Sequence, residues 1–513
     1  MTSTDTARLL GVDLRRDDGE AVRYGDRTWT WGQLGDRVER VAAALAADGV
    51  RPGTRVAVLE RNHPATLELA YGGARVGAVT TVVNWRLAPE EVLYALADST
   101  AELLLVGEEF AGVVEALRDR LPALRRVLVV GEPYEAWLAA APRGPVHDGR
   151  GADPDDVVLQ LYTSGTTGFP KGVMLTHRNV AAHNAAALEV VAPSPDSVAM
   201  VPMPLYHVGG LAYALWNLAA GARIVVVRDP VPSVLLDTIE REGVTDTFIV
   251  PALIGVLLQE PGLERRDLSS LRHLLYGASP MPGPLMQACL ARFPSILGQV
   301  FGMTELSGAV TYLAPEHHAD TAHPERLLSA GLPYPGVEVR VVAGDGSDVP
   351  VGELGELWVR SAQCMAGYWR RPEATADALV EGGWLRTGDI GRVDEGGFVY
   401  LEDRLKDMVI SGGENVYPAE VERVLLLHPS VAEVAVIGVP DPKWGETVKA
   451  VVVPEEGAAV DPAALIAHCR AHLAGYKRPT SVDVVAALPR NATGKVLRRE
   501  LRAPYWSGQA RRV

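Results

Sequence analysis

One short segment of the sequence combines side chains that can hold a polyphosphate. Residues 162–173 read YTSGTTGFPKGV, and a buried-strand pattern at 157–161 would deliver them to the carboxyl edge of a sheet, where ligands bind in open α/β folds. The hydroxyl and glycine positions are Thr163, Ser164, Gly165, Thr166, Thr167 and Gly168. A loop with many backbone N–H groups and hydroxyls can wrap phosphates, and Lys171 adds a positive charge. Because Gly-Lys-Ser/Thr is missing, this is not a Walker A loop.

The chain resembles a known superfamily. Residues 162–172 match, residue for residue, the signature phosphate loop of the adenylate-forming enzymes, and the resemblance extends over residues 26–495. These enzymes include acyl-CoA synthetases, aryl-CoA ligases, peptide-synthetase adenylation domains and luciferases. The resemblance implies activation of a carboxylic acid by ATP and Mg²⁺, followed by transfer of the acyl group to coenzyme A. Among these enzymes, the sequence most resembles the bacterial fatty-acyl-CoA synthetases. The segments that carry this resemblance are YGASPMP, DRLKDMVISGGENVYPAEVE and DPKWGE.

A histidine motif is the second match. In PLYHVGG, residues 204–210, the resemblance places His207 against the acyl chain and the carboxyl group of the substrate. Relatives that activate amino acids often carry Asp at this position to hold the substrate ammonium. His207 therefore argues against an α-amino acid substrate.

Two further motifs are expected to form the adenine and phosphate site. They are YGASPMP at 276–282 and GQVFGMTE at 298–305. By resemblance, the adenine and acyl pocket is lined by Gly277, Ala278 and Ser279. Phe301, where the family more often has Tyr, would stack near the base, Thr304 would bind the α-phosphate, and Glu305 would coordinate Mg²⁺. A carboxylate beside phosphates is tolerable when a hard cation neutralises both.

The residues expected to bind the ribose, and those expected to move during the reaction, lie in the second half of the chain. In WLRTGDI, residues 384–390, Asp389 matches the carboxylate that accepts hydrogen bonds from the ribose hydroxyls, and Arg404 is a second ribose contact. In PRNATGKV, Lys495 matches the mobile lysine that bridges the substrate carboxylate and the α-phosphate. Lys406 matches the hinge about which this part rotates. The face used for the thioester step includes Gly412 and Gly413.

The substrate and the thiol acceptor stay open. Residues 206–213 and 308–312 are apolar to mildly polar, which favours an aliphatic or aromatic monocarboxylate. An alternative acceptor is the phosphopantetheine of a separate acyl carrier protein, since the chain has no Gly-Gly-x-Ser carrier motif of its own. A non-catalytic nucleotide-binding relative is disfavoured, because the charged set Lys171, Glu305, Asp389, Arg404 and Lys495 is intact. Nothing marks a luciferase-like oxidation.

Composition excludes several other classes of protein. The net charge of −15 repels nucleic acid and anionic membrane surfaces, so phosphate must be held by a local site. Three scattered cysteines suggest buried thiols in a reducing compartment. The first twenty residues lack a signal-peptide pattern, and the most apolar stretch, 208–227, is broken by glycine and polar residues. We therefore expect a cytoplasmic enzyme without a transmembrane segment; its oligomeric state is open, with a homodimer among the alternatives.

The elements that must position these residues follow an α/β pattern. A helical period from Leu34 to Leu45 ends at Asp48-Gly49, and short aliphatic runs alternate with helical stretches. At 513 residues the chain is too long for one core. We predict a large N-terminal AMP-binding domain, residues 1–404, with parallel-type sheets and a small β-rich subdomain from residue 331. A small mobile α+β domain, residues 405–513, is predicted to follow a charged hinge.

Overall fold

The chain divides into two compact units. The computed structural model describes residues 18–142, 153–163, 170–279, 281–404, 407–411, 414–441, 444–490 and 496–507. The first unit comprises Met1–Glu338 and Val359–Leu385, and the second comprises Val339–Trp358 and Arg386–Val513. The sequence analysis places a domain boundary between residues 404 and 405, where the mobile part of the chain is expected to begin. This boundary stays a prediction.

The helices begin where the sequence supplies a cap or a proline. In chain order they are α1 (Trp31–Ala47), α2 (Pro64–Arg75), α3 (Pro89–Ser99), α4 (Glu108–Leu117), α5 (Glu132–Ala140), α6 (His177–Val191), α7 (Val208–Ala220), α8 (Pro232–Glu242), α9 (Pro251–Leu258), α10 (Gly283–Arg292), α11 (Pro315–His318), α12 (Pro372–Ala378), α13 (Pro418–Leu425), α14 (Pro462–His472) and α15 (Arg498–Arg502). The Thr30 side chain caps α1 by accepting a hydrogen bond from the backbone N–H of Gln33. Proline lies in the first turn of α2, α3, α8 and α9, where its missing N–H costs no helical hydrogen bond.

The strands confirm the aliphatic runs of the sequence. In chain order they are β1 (Glu20–Tyr24), β2 (Arg27–Thr30), β3 (Arg55–Leu59), β4 (Val79–Val82), β5 (Leu103–Val106), β6 (Arg126–Val129), β7 (Val157–Thr163), β8 (Lys171–Thr176), β9 (Val198–Val201), β10 (Arg223–Val226), β11 (Asp246–Phe248), β12 (His273–Gly277), β13 (Leu297–Met303), β14 (Gly308–Leu313), β15 (Leu332–Pro333), β16 (Glu338–Val342), β17 (Gly355–Arg360), β18 (Gly367–Tyr368), β19 (Leu379–Val380), β20 (Trp384–Val393), β21 (Val399–Arg404), β22 (Val409–Ser411), β23 (Glu414–Val416), β24 (Val431–Asp441), β25 (Gly445–Pro454) and β26 (Ser481–Val484). The run after Asp48-Gly49, for example, forms β3.

Two large sheets form the framework of the first unit. One has the order β15-β14-β13-β12-β11-β9-β10-β1-β2, and the other has the order β18-β8-β7-β4-β3-β5-β6. The inner strands pair in parallel, as in β12–β13 and β4–β7, which confirms the predicted α/β fold. Antiparallel strands are added at the edges, notably in the pairs β13–β14 and β7–β8. Both antiparallel pairs enclose loops that carry predicted site residues.

The most apolar stretch of the sequence forms a core helix and a core strand. It becomes α7, which ends at Gly221 with a positive φ of 76°, followed by β10. Ten of the α7 residues are buried, which explains the apolar sequence without a membrane. Among the described residues, none of the helices has both the length and the apolar character needed to span a bilayer.

The second unit has its own small core. Its sheet has the order β23-β22-β25-β24, with β26 added beside β25, and α13 and α14 contribute to the buried cluster around Val421 and Leu465. It also holds most of the predicted β-rich subdomain, a sheet in which β16, β17 and β20 are neighbours and β21 pairs with β20. Cys289 and Cys469 are buried thiols, as expected, whereas Cys364 is only half-buried.

Candidate active site

The phosphate-loop motif lies at the turn of an edge hairpin. Strand β7 ends at Thr163, strand β8 begins at Lys171, and these two residues are partners in the antiparallel register. The predicted loop residues Ser164, Gly165, Thr166, Thr167 and Gly168 lie outside the described residues. Lys171 is therefore the first residue of β8.

Tyrosine and tryptophan side chains anchor both ends of this hairpin. The Tyr162 hydroxyl donates to Asp98 Oδ2 at 2.7 Å, and the Tyr94 hydroxyl donates to the carbonyl of Pro170 at 3.0 Å. Trp369 donates from its indole Nε1 to the carbonyl of Asp98 at 2.9 Å. Burial, and then the Asp98 carboxylate, raise the pKa of Tyr162, so its hydroxyl stays a donor at neutral pH. Residues Tyr162 and Pro170, on either side of the phosphate-loop residues, are thus both bonded to α3.

The Thr-Glu pair lies at the turn of the second edge hairpin. Strand β13 ends at Met303, a short 3₁₀ turn spans Thr304–Leu306, and β14 follows. Thr304 and Glu305 are both buried, and Glu305 is only 7% exposed. No cation among the described residues lies within ion-pair distance of the Glu305 carboxylate, which makes it a suitable ligand for a bound cation.

Tyr368 connects this turn to the phosphate-loop hairpin. Its hydroxyl donates to Glu305 Oε1 at 2.9 Å, and Lys171 Nζ lies 4.7 Å from the centre of its ring. Burial, and then the Glu305 charge, raise the pKa of Tyr368, so the phenol remains protonated and donating. The structure therefore brings together the predicted Lys171 and Glu305, through a residue that the sequence did not reveal. A long-range strand pairing, β18 with β8, positions Tyr368, and no local spacing signals it.

Tight backbone packing shapes the predicted adenine side of the site. A Cβ on Gly277 would lie 2.2 Å from the carbonyl oxygen of Val300 on the neighbouring strand, so only glycine fits there. The next residue, Ala278, has a positive φ of 63° and is exposed, and Ser279 is half-buried. Phe301 is half-buried near the end of β13, the strand beside β12. These predicted residues therefore share one edge of the sheet.

His207 has a structural contact of its own. It is the N-cap of α7, and its Nδ1 accepts a hydrogen bond from the backbone N–H of Gly209 at 3.1 Å. With Nδ1 accepting, the neutral ring carries its proton on Nε2. A Cβ on Gly209 would lie 2.9 Å from the Phe248 ring, so a larger residue here would push into that aromatic side chain.

A row of aromatic rings continues from this corner into the unit. Phe248 and Tyr213 have ring centres 6.1 Å apart, Tyr213 and Trp216 5.4 Å, and Trp216 and His183 5.7 Å with nearly parallel planes. His183 Nε2 accepts a hydrogen bond from the backbone N–H of Ala309 at 3.1 Å. Burial lowers the pKa of His183 to about 4, so the ring is neutral. We call Phe248, Tyr213, Trp216 and His183 the aromatic row; it runs from the His207 corner to strand β14.

The predicted ribose residues lie in the second unit. Asp389 on β20 is buried, and its backbone N–H donates to the Thr387 hydroxyl at 3.0 Å. In the antiparallel register of β20 and β21, Asp389 is the partner of Arg404, so the two predicted positions are adjacent. The Arg404 side chain and the predicted residues Lys406, Gly412, Gly413 and Lys495 lie outside the described residues.

Ion pairs join the segment that follows Lys406 to the segment that follows Lys495. Asp407 accepts a hydrogen bond from Arg502 at 2.9 Å and lies 3.8 Å from Arg498. Arg498 also binds Glu422 on α13 at 2.7 Å. The chain just after Lys406 and helix α15, just after Lys495, are therefore tied together within the second unit.

Lys171 at one hairpin and the buried Glu305 carboxylate at the other define a site suited to a phosphate ester and a cation. Two family models identify the class of protein. The model described as AMP-binding enzyme matches residues 13–369, and the AMP-binding enzyme C-terminal domain matches residues 420–495. The chain belongs to the AMP-binding enzyme family, within the adenylate-forming superfamily.

Individual relatives are similar to this protein over almost its whole length. A feruloyl-CoA synthase from an Amycolatopsis species is 43% identical over 486 residues, which cover 94% of this chain and 96% of that protein. The fatty acid–[acyl-carrier-protein] ligase ScoC of Streptomyces coeruleorubidus is 40% identical over 501 residues, which cover 96% and 95%. The crystal structure of ATP-bound MatB from Rhodopseudomonas palustris superposes with a TM-score of 0.89 at 31% identity and covers 98% of this chain and 99% of that one.

Proposed function

We propose that this enzyme couples a carboxylic acid to ATP, giving an acyl adenylate and pyrophosphate, and then transfers the acyl group to coenzyme A. The observation that carries the proposal is that Lys171 and Glu305 both contact Tyr368, Lys171 at the ring face and Glu305 at the hydroxyl. A cation and a carboxylate held separately beside a polar loop suit a nucleotide phosphate chain with its metal ion. Family membership supplies independent support.

The donor set fits Mg²⁺. This ion is commonly bound by one or two carboxylates together with substrate phosphates, so Glu305 alone suffices as the protein ligand. The described residues contain no cluster of three or more His, Cys, Asp or Glu side chains that could hold a metal by itself. Bound there, Mg²⁺ would neutralise phosphate charge and favour attack at the α-phosphorus.

The protein's own groups act in the first step mainly by position and charge. The substrate carboxylate oxygen attacks the α-phosphorus, and pyrophosphate leaves with its electron pair. Lys171 compensates the charge of the outer phosphates, Thr304 holds the α-phosphate, and Lys495 bridges that phosphate and the carboxylate. None of these side chains needs to form a covalent bond. The roles of these three residues are predictions.

In the second step a thiolate attacks the acyl carbon and AMP leaves. We propose that rotation about Lys406 replaces the face bearing Lys495 with the one bearing Gly412 and Gly413. The ion pairs of Asp407 with Arg498 and Arg502 support this proposal, because they link the segments beyond the hinge. A cytoplasmic location stays a prediction from the sequence.

The aromatic row favours an apolar or aryl monocarboxylic acid as substrate. Its four rings are buried, and they extend from Gly209, beside His207, towards β14, so the interior next to the predicted acid site is apolar. The names of two relatives agree with this class, since one is a feruloyl-CoA synthase and the other a fatty acid ligase. The contact of His207 with the acyl chain and carboxyl group of the substrate stays a prediction from the resemblance.

The second candidate for the thiol that accepts the acyl group is the phosphopantetheine of an acyl carrier protein. The observation that favours it is the 40% identity to ScoC, which is named as a fatty acid–[acyl-carrier-protein] ligase. The first half-reaction is the same for both acceptors, so the two candidates differ only in the thiol that is used.

One experiment tests both candidates. The purified protein is incubated with ATP, Mg²⁺ and a panel of straight-chain and aryl acids, with either coenzyme A or a phosphopantetheinylated carrier protein, and products are read by mass spectrometry. AMP with an acyl-CoA supports the first candidate, and AMP with an acylated carrier supports the second. ADP in place of AMP would contradict both. Lys171→Met, which keeps a similar side-chain length without charge, serves as a weakened control.

A further inference from the structure

One tyrosine contacts both charged residues of the phosphate site: Lys171 lies over its ring, and Glu305 accepts from its hydroxyl. We propose that Tyr368 is a positioning residue, which orients the Glu305 carboxylate for Mg²⁺ and keeps it from pairing with Lys171. Both charges then stay available to the nucleotide. This inference rests on the proposed function, because it assumes that the site binds ATP with Mg²⁺.

The backbone of Tyr368 is fixed against the strand that carries Lys171. In β18, Tyr368 is the antiparallel partner of Val173, and the neighbouring N–H groups of Ala366 and Trp369 donate to the carbonyls of Met174 and Gly172 at 2.9 and 2.7 Å. The N–H of Tyr368 itself donates to Thr375 Oγ1 at 2.9 Å. Strand pairing therefore fixes the position of the Tyr368 backbone relative to β8, the strand that begins at Lys171.

The same segment holds Glu305 at two points. The N–H of Met365 donates to the backbone carbonyl of Glu305 at 2.9 Å, and the Tyr368 hydroxyl donates to its Oε1 at 2.9 Å. The first bond fixes the main chain of the turn, and the second selects one orientation of the carboxylate. Because a carboxylate has two oxygens, Glu305 could bind a cation while Oε1 accepts the hydrogen bond from the tyrosine.

The ring also gives the Lys171 ammonium a partner other than the Glu305 carboxylate. Lys171 Nζ lies 4.7 Å from the ring centre, at a distance where the ammonium is attracted to the aromatic face. Among the described residues, Lys171 forms no salt bridge with Glu305 or with another carboxylate. A direct pair would neutralise both groups, and a nucleotide would have to break it before binding. The aromatic face holds the ammonium more weakly than a carboxylate would, so phosphate can take it over.

Two substitutions separate the two parts of this role. Tyr368→Phe keeps the ring and removes the hydroxyl, whereas Tyr368→Leu removes both. The readout is the rise in melting temperature that ATP produces, measured at increasing Mg²⁺ concentration, so no turnover is needed. For Tyr368→Phe we expect the half-saturating Mg²⁺ concentration to rise about 10-fold, because groups that orient metal ligands typically contribute this much to affinity. For Tyr368→Leu we also expect weaker ATP binding without Mg²⁺, since Lys171 can then pair with Glu305.

Tyr134→Phe is the matched control. The Tyr134 hydroxyl donates to the buried carboxylate of Glu68 at 2.8 Å, a bond of the same type in the same unit, but between α5 and α2. Its removal should lower the melting temperature of the nucleotide-free protein and leave the half-saturating Mg²⁺ concentration unchanged.

The outcomes distinguish this inference from the proposed function. If the wild type shows no Mg²⁺-dependent stabilisation by ATP, the nucleotide site itself is wrong, and this inference falls with it. If the wild type responds and Tyr368→Phe has the same half-saturation, the proposed function survives and the role of Tyr368 is overturned. The half-saturation point does not depend on the amount of folded protein, so a moderate loss of stability leaves the test intact.

Discussion

Replacing Glu305 by glutamine should separate function from stability. Glu305→Gln keeps the shape of the side chain and an oxygen for the Tyr368 hydroxyl, and it removes only the charge. We predict that adenylate formation falls on the order of 10²–10³-fold, the range seen when a group that stabilises transition-state charge is lost. We predict at the same time that the nucleotide-free protein melts at the same temperature or higher.

The stability prediction follows from the burial of this carboxylate. Glu305 is 7% exposed, no cation of the described residues pairs with it, and its carboxylate accepts a hydrogen bond from the Tyr368 hydroxyl. A hydrogen bond to a charged acceptor contributes about 1.5–3 kcal/mol and one to a neutral acceptor about 0.5–1.5 kcal/mol, so the substitution weakens the Tyr368 bond by about 1 kcal/mol. The substitution also removes the cost of desolvating the buried charge, which offsets that loss.

The assay pairs AMP release at saturating acid with thermal melting, and Glu68→Gln is the control. Glu68 is also buried and accepts from a tyrosine hydroxyl, but it has a cation partner, Arg37, at 2.6 Å. Glu68→Gln removes one of the two carboxylate partners of Arg37, the other being Glu135, and should therefore lower the melting temperature without reducing the activity of the folded fraction. If Glu305→Gln keeps activity within about 3-fold, or behaves like the control, the assignment of Glu305 to the cation is refuted.

Three further predictions concern the second unit and the segments outside the described residues. Lys495→Ala should lower adenylate formation on the order of 10²–10³-fold and spare thioester formation from a supplied acyl adenylate; equal loss in both half-reactions would contradict the two-face assignment. Lys406→Pro should impair the thioester step far more than the first step, because proline restricts a hinge, and unchanged overall turnover would count against it. Asp389→Asn should raise the KM for ATP about 10-fold, and less for 2′-deoxy-ATP; an equal effect on both nucleotides would exclude the contact with the 2′-hydroxyl.

Much of the framework follows from local sequence patterns. The helical period that ends at Asp48-Gly49 gives α1, and the short aliphatic runs give the inner parallel strands. The Gly277 prediction rests on resemblance, yet its physical reason is visible only in the structure, where the Val300 carbonyl leaves no room for a Cβ. Periodicity and motif composition report on neighbours along the chain, and these elements are built from such neighbours.

The contacts between distant segments could not be predicted in this way. Tyr368 reaches Glu305 because β18 pairs with β8, and His183 reaches Ala309 because α6 packs near β14. No periodicity in either segment signals these partners, since each depends on how remote strands and helices meet. His207 shows a related limit: the motif suggested a substrate contact, and the structure adds its role as the cap of α7.

The transfer of a carboxylate oxygen to AMP tests the central claim most directly. The enzyme is given ATP, Mg²⁺, coenzyme A and an accepted acid labelled with oxygen-18 in its carboxylate, and the AMP is analysed by mass spectrometry. Attack of the carboxylate on the α-phosphorus, followed by attack of the thiolate on the acyl carbon, leaves one labelled oxygen in AMP. We predict this label. Unlabelled AMP, or ADP in its place, would contradict an acyl-adenylate mechanism.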